Sequence, residues 1–350
     1  MTDHSFSKNI TGWYLVVKRE LPWRNTTDPY KIWISEIILQ QTRVAQGCDY
    51  YIRFIERFPD VKTLSEAPED DVLKYWQGLG YYSRARNLHA AAHQIMALHN
   101  GVFPVTYKDV LSLKGVGEYT AAAICSFAYN QAYATVDGNV YRVLSRIYNI
   151  DLPIDSGKGK KYFADLAQQL LSETDPATHN QGIMEFGAML CTPKSPACDE
   201  CPFQDKCMAL ANGTVMQRPV KQQKTAVKNR YFNYFCIRFG ENILLNKRIE
   251  NDIWKNLYEF PLIECVEKLS FEELSQTDEF KTMFEGISEI SFSLKKSDIV
   301  HILSHRRIIT NYYEVQVSDL NKLPEHYLCI PEKDFDKYAV SRLVHILLSE

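Results

Sequence analysis

Four cysteines crowd one short segment of this 350-residue chain: Cys191, Cys198, Cys201 and Cys207, spaced C-x6-C-x2-C-x5-C. Any fold must gather these thiols around one centre or bury them separately. Pro193, Pro196 and Pro202 make the segment a loop, so separate burial in a core is the weaker account. Four neighbouring thiolates in a reducing compartment suit tetrahedral zinc or an iron–sulfur cluster. Zinc usually brings two C-x2-C knuckles and only Cys198–Cys201 is that short, so the spacing leans toward a cubane cluster and leaves zinc open. The cysteine total of nine is odd, a poor disulfide framework. Cys48, Cys125, Cys236, Cys265 and Cys329 read as small buried hydrophobes.

Around the cysteines the texture of the chain divides. Residues 6–210 are a succession of helices, with apolar residues at helical spacing over 30–42, 48–58, 69–76, 83–99, 118–129, 139–149, 158–172 and 180–190. Beyond 230, Tyr231–Phe239 and Asn311–Val317 are aromatic and β-branched and read as strands, while 270–286 and 334–348 read as helices. The expected organisation is a helical domain over 1–211, a basic linker over 212–229 and a smaller α+β domain over 230–350.

Charge is nearly balanced, with 40 Lys+Arg against 43 Asp+Glu, which argues against a polybasic nucleic-acid coat. The balance is local, however: Arg218, Lys221, Lys224, Lys228 and Arg230 fall in 216–230 with no acid among them. No apolar stretch approaches the roughly 18–20 residues that span a bilayer, and Met1-Thr2-Asp3-His4 opens no signal peptide. A soluble, cytoplasmic protein without a membrane partner is expected.

Two segments carry candidate chemistry. Gly115-Val116-Gly117 stands where a turn opens an Ala-rich helix, so free amides can face an anion such as a DNA phosphate; an ordinary helix–turn–helix connection is the competing account. Glu36 is the single acid in the apolar run Ile32–Leu39, with Ile32, Trp33 and Leu39 beside it on a helix. Burial there raises a carboxyl pKa and makes it a general acid near neutrality; a rim carboxylate tied to an arginine competes with that reading. Asp137 precedes a helix and is by default its N-cap, although a second carboxylate could also stabilise developing positive charge.

Taken together, Pro22-Trp23-Arg24, Ser35–Thr42, Gly78–Leu88, Gly115-Val116-Gly117, Val136–Asn139 and the cysteine loop resemble the MutY-type A/G-specific adenine DNA glycosylases, in family order over about residues 20–210. The resemblance implies an all-α helix-hairpin-helix glycosylase domain with a [4Fe-4S] cluster on the four cysteines, followed by a Nudix-like α+β domain. It implies a monomer, nucleoid-associated in a bacterium, that removes adenine opposite 8-oxoguanine or guanine in double-stranded DNA. Adenine would be flipped into a pocket containing Trp23 and Arg24. Glu36 would protonate its N7, Asp137 would stabilise the oxocarbenium sugar, and Tyr119 and Asn139 would support both. Gln41, Thr42, Leu79 and Tyr81 match positions that wedge into or contact the duplex, and Gly115 and Gly117 the phosphate turn; for Tyr81 a core aromatic is the competing account.

Endonuclease III-type enzymes resemble the same domain but carry a lysine where Tyr119 stands. A hydrolytic, monofunctional enzyme is therefore expected, with a glycosylase/lyase on oxidised pyrimidines or an inactive DNA-binding homologue as alternatives. In the C-terminal domain, Trp254–Pro261 resembles the Nudix-like domain of the family but no R-E-x-x-E-E box follows; Glu272 and Glu273 look like a solvated helix face, so metal-dependent pyrophosphate hydrolysis is not expected. The family's Phe-Ser-His loop that senses 8-oxoguanine is here Leu303-Ser304-His305, a departure at its first residue. Arg306 and Arg307 follow and are expected to add phosphate-binding charge.

Overall fold

The computed structural model describes residues 4–222, 227–285, 287, 289–319, 324 and 326–349. The chain divides into two compact units, Met1–Glu66 with Asn87–Gln223, and Ala67–Arg86 with Lys224–Glu350. Among the described residues no helix is long and apolar enough to cross a membrane.

The first unit is helical. Asp28 accepts from the Tyr30 amide and Pro29 occupies the first turn, which together start α2 (Pro29–Leu39) after α1 (His4–Val17). α3 (Val44–Arg57) and α4 (Val61–Glu66) follow. Phe6 and Ile10 of α1 pack into one core with Val140, Leu144, Phe163 and Phe186, drawn from helices that lie far apart in sequence. These are α9 (Gly138–Ile147), α10 (Gly157–Leu170) and α11 (Pro176–Met189). The hairpin consists of α7 (Tyr107–Ser112), a Gly-containing turn, and α8 (Glu118–Tyr129). Gly115 has φ +77° and a Cβ there would stand 2.6 Å from the Asn87 Cβ, so the turn requires glycine on both counts. α5 (Glu69–Trp76) belongs to the second unit, and α6 (Ser83–His99) crosses the division at residue 86.

Residues read as linker are fastened to this unit over much of their length. The Val215 carbonyl accepts from Arg146 Nε at 2.9 Å, the Val220 carbonyl from the Ile154 amide at 3.0 Å, and Asp155 accepts the Gln222 amide at 3.0 Å.

The second unit holds α5 and a sheet of order β3-β2-β1-β6-β5. Its strands are β1 (Lys228–Phe239), β2 (Asn242–Lys247), β3 (Tyr258–Glu259), β4 (Leu262–Cys265), β5 (Ile290–Ile302), β6 (Arg306–Val317) and β7 (Leu328–Pro331). β1 and β6 pair in parallel from Lys228↔Arg306 to Arg238↔Gln316, and β4 and β7 pair with β1 and β2. One face packs Phe232, Tyr234, Phe260 and Leu343; the other packs Phe235, Leu274, Phe280 and Val315.

Of the five scattered cysteines read as buried, Cys125 and Cys236 are buried, Cys48 and Cys265 are half-buried and Cys329 is exposed. Three secondary-structure elements also depart from the sequence reading. The single helix expected over 270–286 is two, Phe271–Ser275 and Asp278–Phe284, because the Thr277 side chain accepts the Phe280 amide and starts a second helix. The helix expected over 334–348 is a 3-10 turn, Glu332–Lys337, and then Arg342–Leu348 capped by Ser341. β5 was not expected as a strand: it is a sheet edge, exposes Leu294, Val300 and Ile302, and carries Lys295, Lys296 and Asp298 at its register shifts, which hides the two-residue alternation.

Candidate active site

Glu36 sits on α2 with 7% of its surface exposed, among Ile32, Trp33 and Ile37. Its hydrogen-bond partner is a phenol from the first turn of α8: Tyr119 Oη donates to Glu36 Oε2 at 2.9 Å. Burial pushes the Glu36 carboxyl up to about 7; the Tyr119 bond and the Arg24 charge oppose that rise, and the Asp137 charge adds to it. Burial and the two carboxylates also push the Tyr119 phenol well above its ordinary value, so it remains a donor at neutral pH.

Asp137 caps α9. Oδ1 accepts the Asn139 and Val140 amides at 2.9 Å each, and Oδ2 accepts Asn139 Nδ2 at 2.8 Å. Burial raises its carboxyl, and these donors favour its charged form. The bonds that start the helix also orient the carboxylate, so the capping role leaves Asp137 facing the same cavity as Glu36. Asn139 is itself held, since Arg142 Nη2 donates to its Oδ1 at 2.8 Å.

One cavity of about 1260 Å³ joins these groups and is lined by Trp23, Arg24, Glu36, Tyr119, Asp137 and Glu185. Gln41, Thr42, Gly115 and Gly117 lie on its wall. A Cβ at Gly117 would meet no protein atom within 4 Å, so the space above that turn is open to a ligand. Trp23 is buried edge-on to Tyr51 with ring centroids 5.4 Å apart.

Arg24 does not pair with Glu36. Its guanidinium lies on Glu185, Nη1 to Oε1 at 3.1 Å and Nη2 to Oε2 at 2.7 Å, and Arg19 Nε reaches the same Oε1 at 2.7 Å. Two arginines hold the Glu185 carboxyl down to about 2 against its burial. Sequence reasoning missed Glu185, although the signal was the one that marked Glu36: a lone acid inside the apolar run Ile183-Met184-Glu185-Phe186.

The remaining expected positions lie in the second unit. Leu79 is buried, whereas Tyr81 is 47% exposed at the tip of a turn with φ +47°. Its hydroxyl hydrogen-bonds the Ser304 hydroxyl. Ser304 and His305 form the turn between β5 and β6, closed by the Leu303 amide on the Arg306 carbonyl at 2.8 Å. Leu303 is partly buried and packs against the sheet core.

The phosphate-binding charge expected there is reduced. Arg306 pairs with Asp252 at 2.5 Å, and Arg230 with Asp252 at 2.7 Å and Glu264 at 2.5 Å, because β1 and β6 bring these arginines beside the acids. Lys224 lies outside the described residues. Glu273 caps its own helix, with its side chain accepting the Ser270 amide at 2.8 Å.

Cys191, Cys198, Cys201 and Cys207 ring one pocket walled by Ile147, Phe186 and Leu190. Among the described residues no three His, Cys, Asp or Glu side chains stand close enough to share a single metal ion. Arg146 Nη1 lies 3.4 Å from the Cys191 sulfur. Four soft donors around an apolar pocket, with a cation beside them, fit an iron–sulfur cluster, whose negative charge Arg146 would offset. Such a cluster would cross-link the end of α11 to the loop that follows.

Comparison with known proteins gives three matching models. HhH-GPD superfamily base excision DNA repair protein matches residues 34–169, the iron-sulfur binding domain of endonuclease III matches 191–207, and a NUDIX domain matches 233–350. An adenine DNA glycosylase of Buchnera aphidicola subsp. Baizongia pistaciae is 38% identical over 268 residues, 75% of this chain and 74% of its own. An adenine DNA glycosylase of Rattus norvegicus is 41% identical over 214 residues, 59% of this chain and 42% of its own. A thermostable thymine-DNA glycosylase structure superposes with TM-score 0.57 and 28% identity, over 60% of this chain and 97% of its own. A non-covalent endonuclease III–DNA complex shares the fold at TM-score 0.51 and 19% identity, over 59% of this chain and 94% of its own.

Proposed function

Because this chain belongs to the adenine DNA glycosylase family, we propose that it excises adenine mispaired with 8-oxoguanine, and less efficiently with guanine, from double-stranded DNA. It is a DNA glycosylase of base excision repair. In this reading a monomer works in the cytoplasm, at the nucleoid in a bacterium. The first unit excises the base, and the second, in which residues 67–86 join 230–350, senses its partner.

The observation that carries the mechanism is the Tyr119–Glu36 bond of 2.9 Å beside a cavity that also holds Asp137. With its carboxyl pushed up to about 7, a substantial share of Glu36 is protonated at neutral pH and gives that proton to N7 of a flipped adenine. The C1′–N9 bond then breaks with its electron pair going to adenine, which leaves neutral. The oxocarbenium sugar is stabilised by the Asp137 carboxylate. Water adds to C1′, and its proton returns to Glu36. Trp23 and Arg24 bound the base pocket. Gln41, Thr42, Gly115, Gly117, Leu79, Tyr81, Ser304 and His305 position the duplex. The cluster on the four cysteines, when bound, supplies a cross-link that fixes the loop 191–207.

Tyr119 carries no amine, so the reading includes no Schiff base and no strand cleavage. The test is a duplex with adenine opposite 8-oxoguanine, analysed with and without hot alkali. Strand breaks that appear only after alkali are expected. Breaks without alkali, together with borohydride trapping at the level of a true lyase, would place the enzyme with the endonuclease III-type lyases instead.

A further inference from the structure

The wedge turn and the sensing turn belong to one unit, and a single carboxylate ties their supports together. Asp70, in the first turn of α5, accepts Lys247 Nζ at 2.7 and 3.0 Å and Tyr258 Oη at 2.8 Å. Lys247 and Tyr258 are directly paired across β2 and β3, so two adjacent strands converge on one helix end. Lys247 Nζ also lies 5.1 Å over the Tyr258 ring. Beside it, Asn256, at φ +65°, donates to Glu69.

From this anchor two rigid routes lead to the same place. Along one, α5 ends at buried Trp76, whose indole N–H donates to the Gly80 carbonyl at 3.2 Å and holds the turn that presents Tyr81. Gln77 Oε1 accepts the Val340 amide at 3.1 Å and steadies that end of the helix. Along the other, β2 pairs with β1, and β1 with β6, whose first residues close the turn carrying Ser304. The routes meet at the hydrogen bond between the Tyr81 and Ser304 hydroxyls.

We propose that Asp70, through Lys247 and Tyr258, is a positioning residue that fixes the wedge tip Tyr81 against the sensing turn at Ser304. Discrimination between 8-oxoguanine and guanine then depends on a residue that touches neither DNA nor the catalytic carboxylates. The inference rests on the proposed roles of Tyr81 and Ser304. Asp70 and Lys247 are 43% and 37% exposed, so solvent screens the pair and the expected effect is moderate.

Single-turnover excision rates on adenine opposite 8-oxoguanine and opposite guanine test it, in the full-length protein and in Asp70→Asn, Tyr258→Phe, Asp70→Lys with Lys247→Glu, and Ser304→Ala. The 8-oxoguanine-to-guanine rate ratio should fall about fivefold in Asp70→Asn and recover in the charge-reversed pair. A general loss of fold would lower both rates and leave the ratio in place. If Asp70→Asn does not fold, Tyr258→Phe, which keeps both charges, must still lower the ratio. A wild-type ratio in the Asp70 and Tyr258 variants, beside a lowered ratio in Ser304→Ala, overturns this inference and leaves the sensing turn standing. An unchanged ratio in Ser304→Ala overturns the sensing turn itself, and the inference with it.

Discussion

Arg142 links Asn139 to Cys191, donating from Nη2 to the Asn139 side-chain oxygen at 2.8 Å and from Nε to the Cys191 carbonyl at 2.7 Å. The same guanidinium donates to the Gly187 carbonyl at 2.6 Å. The residue that orients Asp137 is therefore held by the backbone of Cys191, one of the four cysteines proposed to hold the cluster. Replacing Arg142 by methionine strands these acceptors in a buried site and should destabilise the fold by about 3 kcal/mol. Adenine excision should slow by more than tenfold at temperatures where the protein remains folded. Thermal melts and single-turnover rates measure the two effects, and a wild-type rate would show that Arg142 has no part in orienting Asn139.

Gly187 is a second support of the same side chain. A Cβ there would stand 2.6 Å from the Asn139 Cβ, so α11 approaches α9 this closely only with glycine. Gly187→Ala should displace Asn139 and, with it, Asp137. A rate loss of about tenfold with duplex affinity retained is expected, measured by single-turnover kinetics beside a binding titration.

Excision should depend on a proton at Glu36. Its carboxyl is raised in the folded protein to about 7, so the acid form declines as pH rises through that value. Above it the rate should drop roughly tenfold per pH unit. The sign for stability is the same: a raised carboxyl contributes fully below the ordinary carboxylate range and loses that contribution as pH rises through about 7. Glu36→Gln should remove the pH dependence of melting in that window.

Glu185 carries the opposite sign. Its carboxyl is held down to about 2 by Arg19 and Arg24, so its contribution is present above the ordinary carboxylate range and is lost only as pH falls toward 2. Glu185→Gln would leave the two guanidiniums without their anion, and a loss of about 3 kcal/mol in chemical denaturation is expected.

Much of the first unit was legible because local signals and packing agree. The α2 run of apolar residues, the Asp137 cap and the Gly115 turn are each encoded within a few residues. Glu185 was equally visible as a lone acid in an apolar helix, but its meaning lies in Arg19 and Arg24, more than 160 positions away. The membership of residues 67–86 was not legible for the same reason: Asp70 reads as one acid in an acidic first turn, and only the fold supplies Lys247, 177 residues on. β5 was hidden because an edge strand with a register shift buries too little to impose alternation. Arg230 and Arg306 read as free basic charge in the sequence, and only the fold supplies the acids that pair with them.

Glu36 is proposed to supply the proton for adenine departure. Single-turnover excision of adenine opposite 8-oxoguanine by Glu36→Gln tests this role most directly, since the amide keeps the shape and loses the acid. Duplex binding near wild type and excision lowered by at least about a hundredfold are expected, in line with loss of general acid catalysis. Excision by Glu36→Gln at the wild-type rate would remove Glu36 from the chemistry.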